Sequence, residues 1–194
     1  MKIRIPFLAP TLFGLLVLLG FGLATAAPWK NDAMGVLVNF PGTWKLITPK
    51  IAYQRMRAAK ASNDSADMLF YGELKKRTQT GNFFLFEEKP KSKVRADIQA
   101  AAMGKPMRAL NEADIVKLCP LWAQNRRENE RPFTECGPRK LGTAWTAYFV
   151  YQADPAGNTE YQIKHFRTDG TLIQFTVAGS RAQAEAIFSH TKFY

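Results

Sequence analysis

The chain has 194 residues and carries 27 Lys+Arg against 16 Asp+Glu, a formal net charge of +11. That length suits one domain with a substantial core, and no internal repeat, low-complexity linker or second domain is visible. The 2 cysteines and 2 histidines lie far apart in the sequence and lack the paired spacing that a zinc site needs.

Residues 1–26 have the form of a secretory signal. Lys2 and Arg4 supply the positive end, and residues 5–23 are uncharged and mostly apolar. Ala24-Thr25-Ala26 is a small-x-small site, so cleavage is expected between Ala26 and Ala27. The alternative is an uncleaved anchor in the inner membrane, because the uncharged stretch approaches the ~20 residues that span a bilayer. No cysteine near this site points to a lipid anchor. Residues 27–194 would form the exported domain. Removing Lys2 and Arg4 takes the net charge from +11 to +9. Such a charge favours anionic partners, such as lipid head groups, an acidic glycan, nucleic acid or an acidic protein face, or it simply maintains solubility.

Residues 29–32 read as a short leader. Residues 35–40 read as a strand with Val36, Val38 and Phe40 on one face, followed by a Pro41-Gly42 turn. A second short strand is expected over 44–47. A helix is expected from Ile51 to about Ala61, ended by Ser62-Asn63-Asp64-Ser65. The basic residues Arg55, Arg57 and Lys60 read as a solvated helix face. Residues 68–75 (MLFYGELK) read as a strand, paired in a hairpin with FFLFEE at 83–88. Four consecutive apolar residues there suggest burial on both faces. Ser92 is a candidate cap for a helix over 93–103, with Val94, Ile98, Ala101 and Ala102 on one side. Asn111 is a candidate cap for another, with Ile115, Leu118, Cys119 and Trp122 on one face and a kink or stop at Pro120. Residues 124–135 read as a charged, exposed excursion.

The last third is the most regular. Residues 144–152 (AWTAYFVYQ) are a candidate central strand. A turn cluster at 154–158 leads to a strand over 160–168. Asp169-Gly170 predicts a type I′ hairpin turn, and 171–177 returns with Ile173, Phe175 and Val177 facing one way and Leu172, Gln174 and Thr176 the other. Ser180 with Gln183 has capping-box spacing. Ala184, Ile187, Phe188 and Thr191 then form one helical stripe. The block reads β–β–β–α, and the whole as an α+β domain: an antiparallel sheet covered by helices.

Cys119 and Cys136 bracket the charged excursion. In an exported protein a disulfide is the natural reading, with two buried free thiols as the alternative. No C-x-x-C, G-x-S-x-G, S-x-x-K, Walker loop or G-x-G-x-x-G occurs. Glu87-Glu88 cannot act as a pair on a strand, since neighbours point to opposite faces. No catalytic, cofactor or metal residue is therefore assigned. His165 shares a strand face with Tyr161 and Ile163, as a core or edge histidine does. A small periplasmic hydrolase using His165 requires a concave pocket around it with a perturbed acid or base. His190 fits the dipole at a helix C-terminus. Tyr161, Lys164, Phe166 and Arg167 could form a stacking platform for single-stranded nucleic acid, a partner that an exported protein rarely meets.

The run V-N-F-P-G-T-W (38–44), with GTAWTAYFVYQ (142–152), EYQIKHFRTDG (160–170) and TLIQFTVAGSRAQAEAIF (171–188), resembles the PsbP/Mog1-like group, including small exported bacterial proteins of that type. The resemblance rests on element order and covers most of 35–194. It implies an α/β/α sandwich and a noncatalytic accessory role, docked on a larger envelope complex or a membrane surface. No functional residue transfers with it. The expectation is an exported, noncatalytic accessory or binding protein of the bacterial cell envelope.

Overall fold

The computed structural model describes residues 28–194, apart from 43, 91, 93, 126–130 and 154–156. The expected signal and its Ala26/Ala27 cleavage site lie outside the described residues. Among the described residues no helix is long and apolar enough to cross a membrane.

The chain runs β1 (Trp29–Asn31), β2 (Val36–Val38), β3 (Lys45–Leu46), α1 (Pro49–Ala61), α2 (Ser65–Gln79), β4 (Phe83–Glu87) and β5 (Arg95–Ala102). It continues through α3 (Glu112–Gln124), β6 (Phe133–Leu141), β7 (Ala144–Tyr151), β8 (Glu160–Phe166), β9 (Thr171–Ala178), α4 (Arg181–Phe188) and β10 (Thr191–Phe193). Seven strands form one antiparallel sheet in the order β3-β4-β5-β9-β8-β7-β6. A small antiparallel sheet has the order β1-β2-β10. The protein is an α+β sandwich, as the alternating runs and helical stripes require.

Period-two alternation gives the large sheet two different faces. One face presents Ile98, Ile163, Ile173, Phe175 and Val177, all fully buried against α4 and the small sheet. Phe188 of α4 meets Phe175 edge-on at 5.2 Å between ring centroids. The other face is covered only at its ends. Ala52 of α1 and Tyr71 and Leu74 of α2 pack on Phe83 and Leu85 of β4. Ile115 of α3 packs on Ala147 and Phe149 of β7.

Several local readings are corrected by this packing. Residues 68–75 are helix, not strand. Asp64 caps α2 by accepting the Asp67 amide at 3.0 Å, and Asn63 takes the left-handed conformation (φ 55°). The polar break at 62–65 thus joins two helices in a hairpin. Residues 95–102 are strand, not helix. The Ser92 hydroxyl accepts from the Val94 amide, two residues on rather than three, which makes a turn and not a cap. Ala96 and Ile98 then pair with Val177 and Phe175 of β9, so tertiary pairing overrides the helix preference of alanine. β4 consequently lies between β3 and β5 and has no partner in 68–75. Residues 29–31, read as a leader, are a strand whose Trp29 ring packs 4.9 Å from Phe84.

Pro120 neither stops nor breaks α3. The carbonyl it leaves without a donor belongs to Val116, whose residue is 56% exposed and open to water. The 169–170 turn is not type I′. Gly170 alone takes positive φ (81°), and its amide donates to the Arg167 carbonyl at 3.2 Å. This is a wider turn closed by a left-handed glycine. A Cβ at Gly170 would lie 2.6 Å from the Lys105 carbonyl oxygen, so glycine is required there. The Ser180/Gln183 capping box forms as expected. Thr191 leaves the helical stripe for β10, with its hydroxyl donating to the Ile187 carbonyl at 2.9 Å.

Cys119 and Cys136 form a disulfide with Cα atoms 5.7 Å apart, tying α3 to β6. Residues 124–135 are in part regular: Gln124 ends α3 and Phe133 opens β6, while 126–130 lie outside the described residues. At the opposite end, Arg55 of α1 holds Glu87 of β4 by two parallel hydrogen bonds. The Glu87 side chain is 5% exposed and that of Arg55 20%, so this is a largely dehydrated ion pair.

Removing one partner leaves a buried charge uncompensated. Glu87→Ala is expected to lose about 3 kcal/mol of stability in denaturant unfolding, and an Arg55→Met/Glu87→Met double variant clearly less. Opening the disulfide with Cys119→Ser/Cys136→Ser is expected to lose about 3 kcal/mol, from the entropy of the 17-residue separation alone. Equal midpoints for parent and variant would contradict either expectation.

Candidate functional site

Between its two helical covers, the second face of the sheet is open along β5, β9 and β8. The cross-strand register places Asp97 opposite Thr176 and Gln99 opposite Gln174. It also places Thr176 opposite Gln162 and Gln174 opposite Lys164. These residues form a trough floored by polar side chains, walled by α2 on one side and α3 on the other. A position that most sheets fill with apolar side chains is here polar across three central strands.

The floor groups bond to one another in a row across the strands. The Tyr151 hydroxyl donates to Gln162 Oε1 at 3.1 Å, and Gln162 Nε2 donates to Thr176 Oγ1 at 3.2 Å. The Thr176 hydroxyl in turn donates to the Asp97 carboxylate. Lys164 Nζ approaches the Tyr151 hydroxyl at 3.3 Å and lies 4.8 Å over the Phe149 ring. Chains of this kind satisfy buried polar atoms and fix side-chain geometry.

The trough deepens into a cavity at each wall. Under α2 lies one of about 430 Å³, walled by Phe70, Leu74, Phe83 and Leu85. Its charged lining is Arg77 and Glu73 from α2, Arg95 and Asp97 from β5, and Glu160 from β8. Beside α3 lies one of about 240 Å³, lined by Trp122, Phe133, Phe149, Tyr151, Lys164 and Phe166 among others. The volume under α2 lies within the range of small-ligand sites.

Asp97 is half-buried on the cavity floor. Desolvation pushes its carboxyl up to about 7, opposed by the Arg77 charge and the Thr176 hydrogen bond and assisted by Glu160. Glu160 is itself paired with Arg131 at 3.0 Å. Arg77 lies 3.9 Å over the Phe83 ring and donates to Gln99 Oε1 at 3.1 Å. Arg95 lies 4.6 Å over the Phe70 ring and its Nε donates to the Ser92 carbonyl at 2.9 Å. Both guanidinium groups are therefore held against aromatic walls.

His165 is on the opposite face of the sheet. Its ring packs 4.7 Å from that of Phe193, and Nδ1 is buried without a hydrogen-bond partner among the described residues. Burial holds its pKa below the ordinary histidine value. His165 lines neither of the two cavities described above. His190 does lie at a helix end, with Nδ1 2.9 Å from the Ala186 carbonyl oxygen. The imagined stacking platform is divided: Tyr161 faces the main core, whereas Lys164 and Phe166 face the trough. The trough residues Asp97, Gln99, Gln162 and Arg95 carried no assignment from sequence. The polar alternation of Gln174 and Thr176 on β9 was the one visible signal.

No family model matches the chain, and no curated protein matches it. It is similar to a solved structure from Bacteroides thetaiotaomicron, with 16% sequence identity and a TM-score of 0.41. The match covers 82% of this chain and 45% of that one, so the chain spans less than half the length of that neighbour.

A carboxyl raised on folding makes stability depend on pH with a definite sign. Between about pH 4 and pH 7 the folded protein keeps a proton that the unfolded chain has lost. The contribution of Asp97 to stability therefore falls as pH rises across that window and is constant above it. Asp97→Asn removes this loss while still able to accept the Thr176 hydrogen bond. The variant is expected to be more stable than the parent by on the order of 2 kcal/mol at pH 8 and equal to it at pH 4. Thermal melts at the two pH values check this, and a difference independent of pH contradicts it.

Proposed function

We propose that the chain is an exported, noncatalytic binding protein of the bacterial cell envelope, acting as an accessory factor that holds its partner in the trough of the large sheet. The observation that carries this reading is the row Asp97–Thr176–Gln162–Tyr151 on central strands, between two helical walls. Thr176 accepts hydrogen bonds from Gln162 and Gln174 and donates to Asp97, which suits a fixed recognition surface more than a nucleophile. Three further points support it. The Cys119–Cys136 disulfide fits an oxidising compartment. Residues 1–26 have the composition of a secretory signal. The order of elements resembles that of the PsbP/Mog1-like group, whose members are mostly noncatalytic assembly factors.

The purified exported protein should capture a specific envelope partner at both low and high salt. Gln174→Arg, which fills the middle of the floor, should abolish that capture. Lys117→Glu, on α3, should leave it intact. Capture that disappears at high salt for every form would transfer the partner to an anionic surface held by net charge. Capture unaffected by Gln174→Arg would remove the trough from the reading.

A further inference from the structure

Under α2, three charged groups line one cavity without an ion-pair partner among the described residues. Asp97 has no cation within ion-pair distance among the described residues, and its one neighbour in hydrogen-bond contact is the neutral Thr176. Arg77 and Arg95 likewise have no carboxylate partner among the described residues; they rest on Phe83 and Phe70 and bond to neutral oxygens. Elsewhere the chain pairs its charges readily: Arg55 with Glu87, Arg131 with Glu160, Arg139 with Glu185. Even the acid at the rim of this cavity, Glu73, is held by Lys76 at 3.6 Å. The cavity thus keeps a carboxyl on its floor and two guanidinium groups on its walls, with apolar surface from Leu74 and Leu85 between them.

We infer that this cavity binds a zwitterion with an apolar side chain, an amino acid or a short peptide, its ammonium group on Asp97 and its carboxylate on Arg95 and Arg77. The inference rests on the reading of the trough as the binding element and names the chemistry of what enters its deeper end. A single cation would meet two guanidinium groups as well as the acid. A single anion would meet Asp97. A ligand carrying both charges satisfies all three, and guanidinium groups fixed on aromatic rings suit bidentate carboxylate recognition. The apolar walls accept the ligand's side chain.

The same geometry couples binding to a proton. An ammonium group on Asp97 requires the carboxylate, so below about pH 7 the ligand must displace the Asp97 proton. The groups facing Asp97 are Arg77 and Glu73 from α2, Arg95 from its own strand and Glu160 from β8. Affinity should fall about tenfold for each pH unit below 7 and level off above it, until the ligand's amine deprotonates near pH 8 for a peptide.

Calorimetric titration of the purified protein tests the proposal with four probes: leucine, the dipeptide Leu-Leu, isoamylamine (ammonium only) and 4-methylpentanoate (carboxylate only). At least one zwitterion should bind about tenfold or more tighter than either singly charged analogue. Binding by Leu-Leu alone identifies a peptide as the source, and binding by leucine identifies a free amino acid. Asp97→Asn should weaken the zwitterion about tenfold and abolish its pH dependence. Arg95→Gln should weaken it about tenfold with the pH dependence intact. Near-UV circular dichroism confirms that both variants keep the fold. A singly charged analogue that binds as well as the zwitterion, or the failure of all four probes, overturns the proposal. Partner capture sensitive to Gln174→Arg would then still stand, so the two readings fail separately.

Discussion

The structure depends on the pairing of β9 with β5 on one side and β8 on the other. All three strands obey the same two-residue period, so one register fixes two environments at once. Ile173, Phe175 and Val177 enter the main core, and Gln174 and Thr176 necessarily face the trough. A one-residue slip would exchange them, placing a glutamine and a threonine against Phe188 and three apolar side chains in the open. The burial of Phe175 and its neighbours therefore specifies the polar floor as strictly as it specifies the core.

That floor carries an energetic conflict that packing alone would have avoided. Thr176 and Gln162 are buried and satisfied by each other, so their cost is small. Asp97 differs. Its carboxyl has a hydrogen bond but no ion pair, and its raised pKa reports that the fold disfavours the charge. An asparagine there would serve stability better at neutral and higher pH. The conflict lies at the α2 end of the trough, on the face of the sheet away from His165, and local choices that oppose stability are concentrated at functional sites.

The parts of the fold that were legible in the sequence were those where local pattern and tertiary demand coincide. Residues 144–151, 160–166 and 171–178 alternate because both of their faces are defined by neighbours. Ser180 and Asn111 announce helices because capping is a local interaction. The failures have the opposite origin. In 95–102 four alanines and a glutamine favour helix locally, and only β4 and β9 on either side make them a strand. In 68–75 the aromatic pair Phe70-Tyr71 resembles a strand, yet Asp64 and Asn63 had already set the helical hairpin. Misreading 95–102 as a helix also hid the site. Asp97 and Gln99 share a face with Thr176 and Gln174 only once the segment is a strand.

The two walls of the trough are fastened to the sheet by different means, and neither depends on the floor. The α1–α2 hairpin is fixed at β4 through Arg55 and Glu87, in addition to the contact of Tyr71 and Leu74 with Phe83 and Leu85. The other wall, α3, is fixed at β6 by a covalent bond and at β7 by Ile115. Pro120 sits between Cys119 and Trp122 without ending the helix, because the side of α3 toward the sheet is held while its outer side is open to water. With both walls anchored, the width of the trough is set before anything enters it. The cavity under α2 also borrows rigidity from the wall. Phe70 belongs to α2 and Phe83 to β4, two elements packed on each other through Tyr71, Leu74, Phe83 and Leu85.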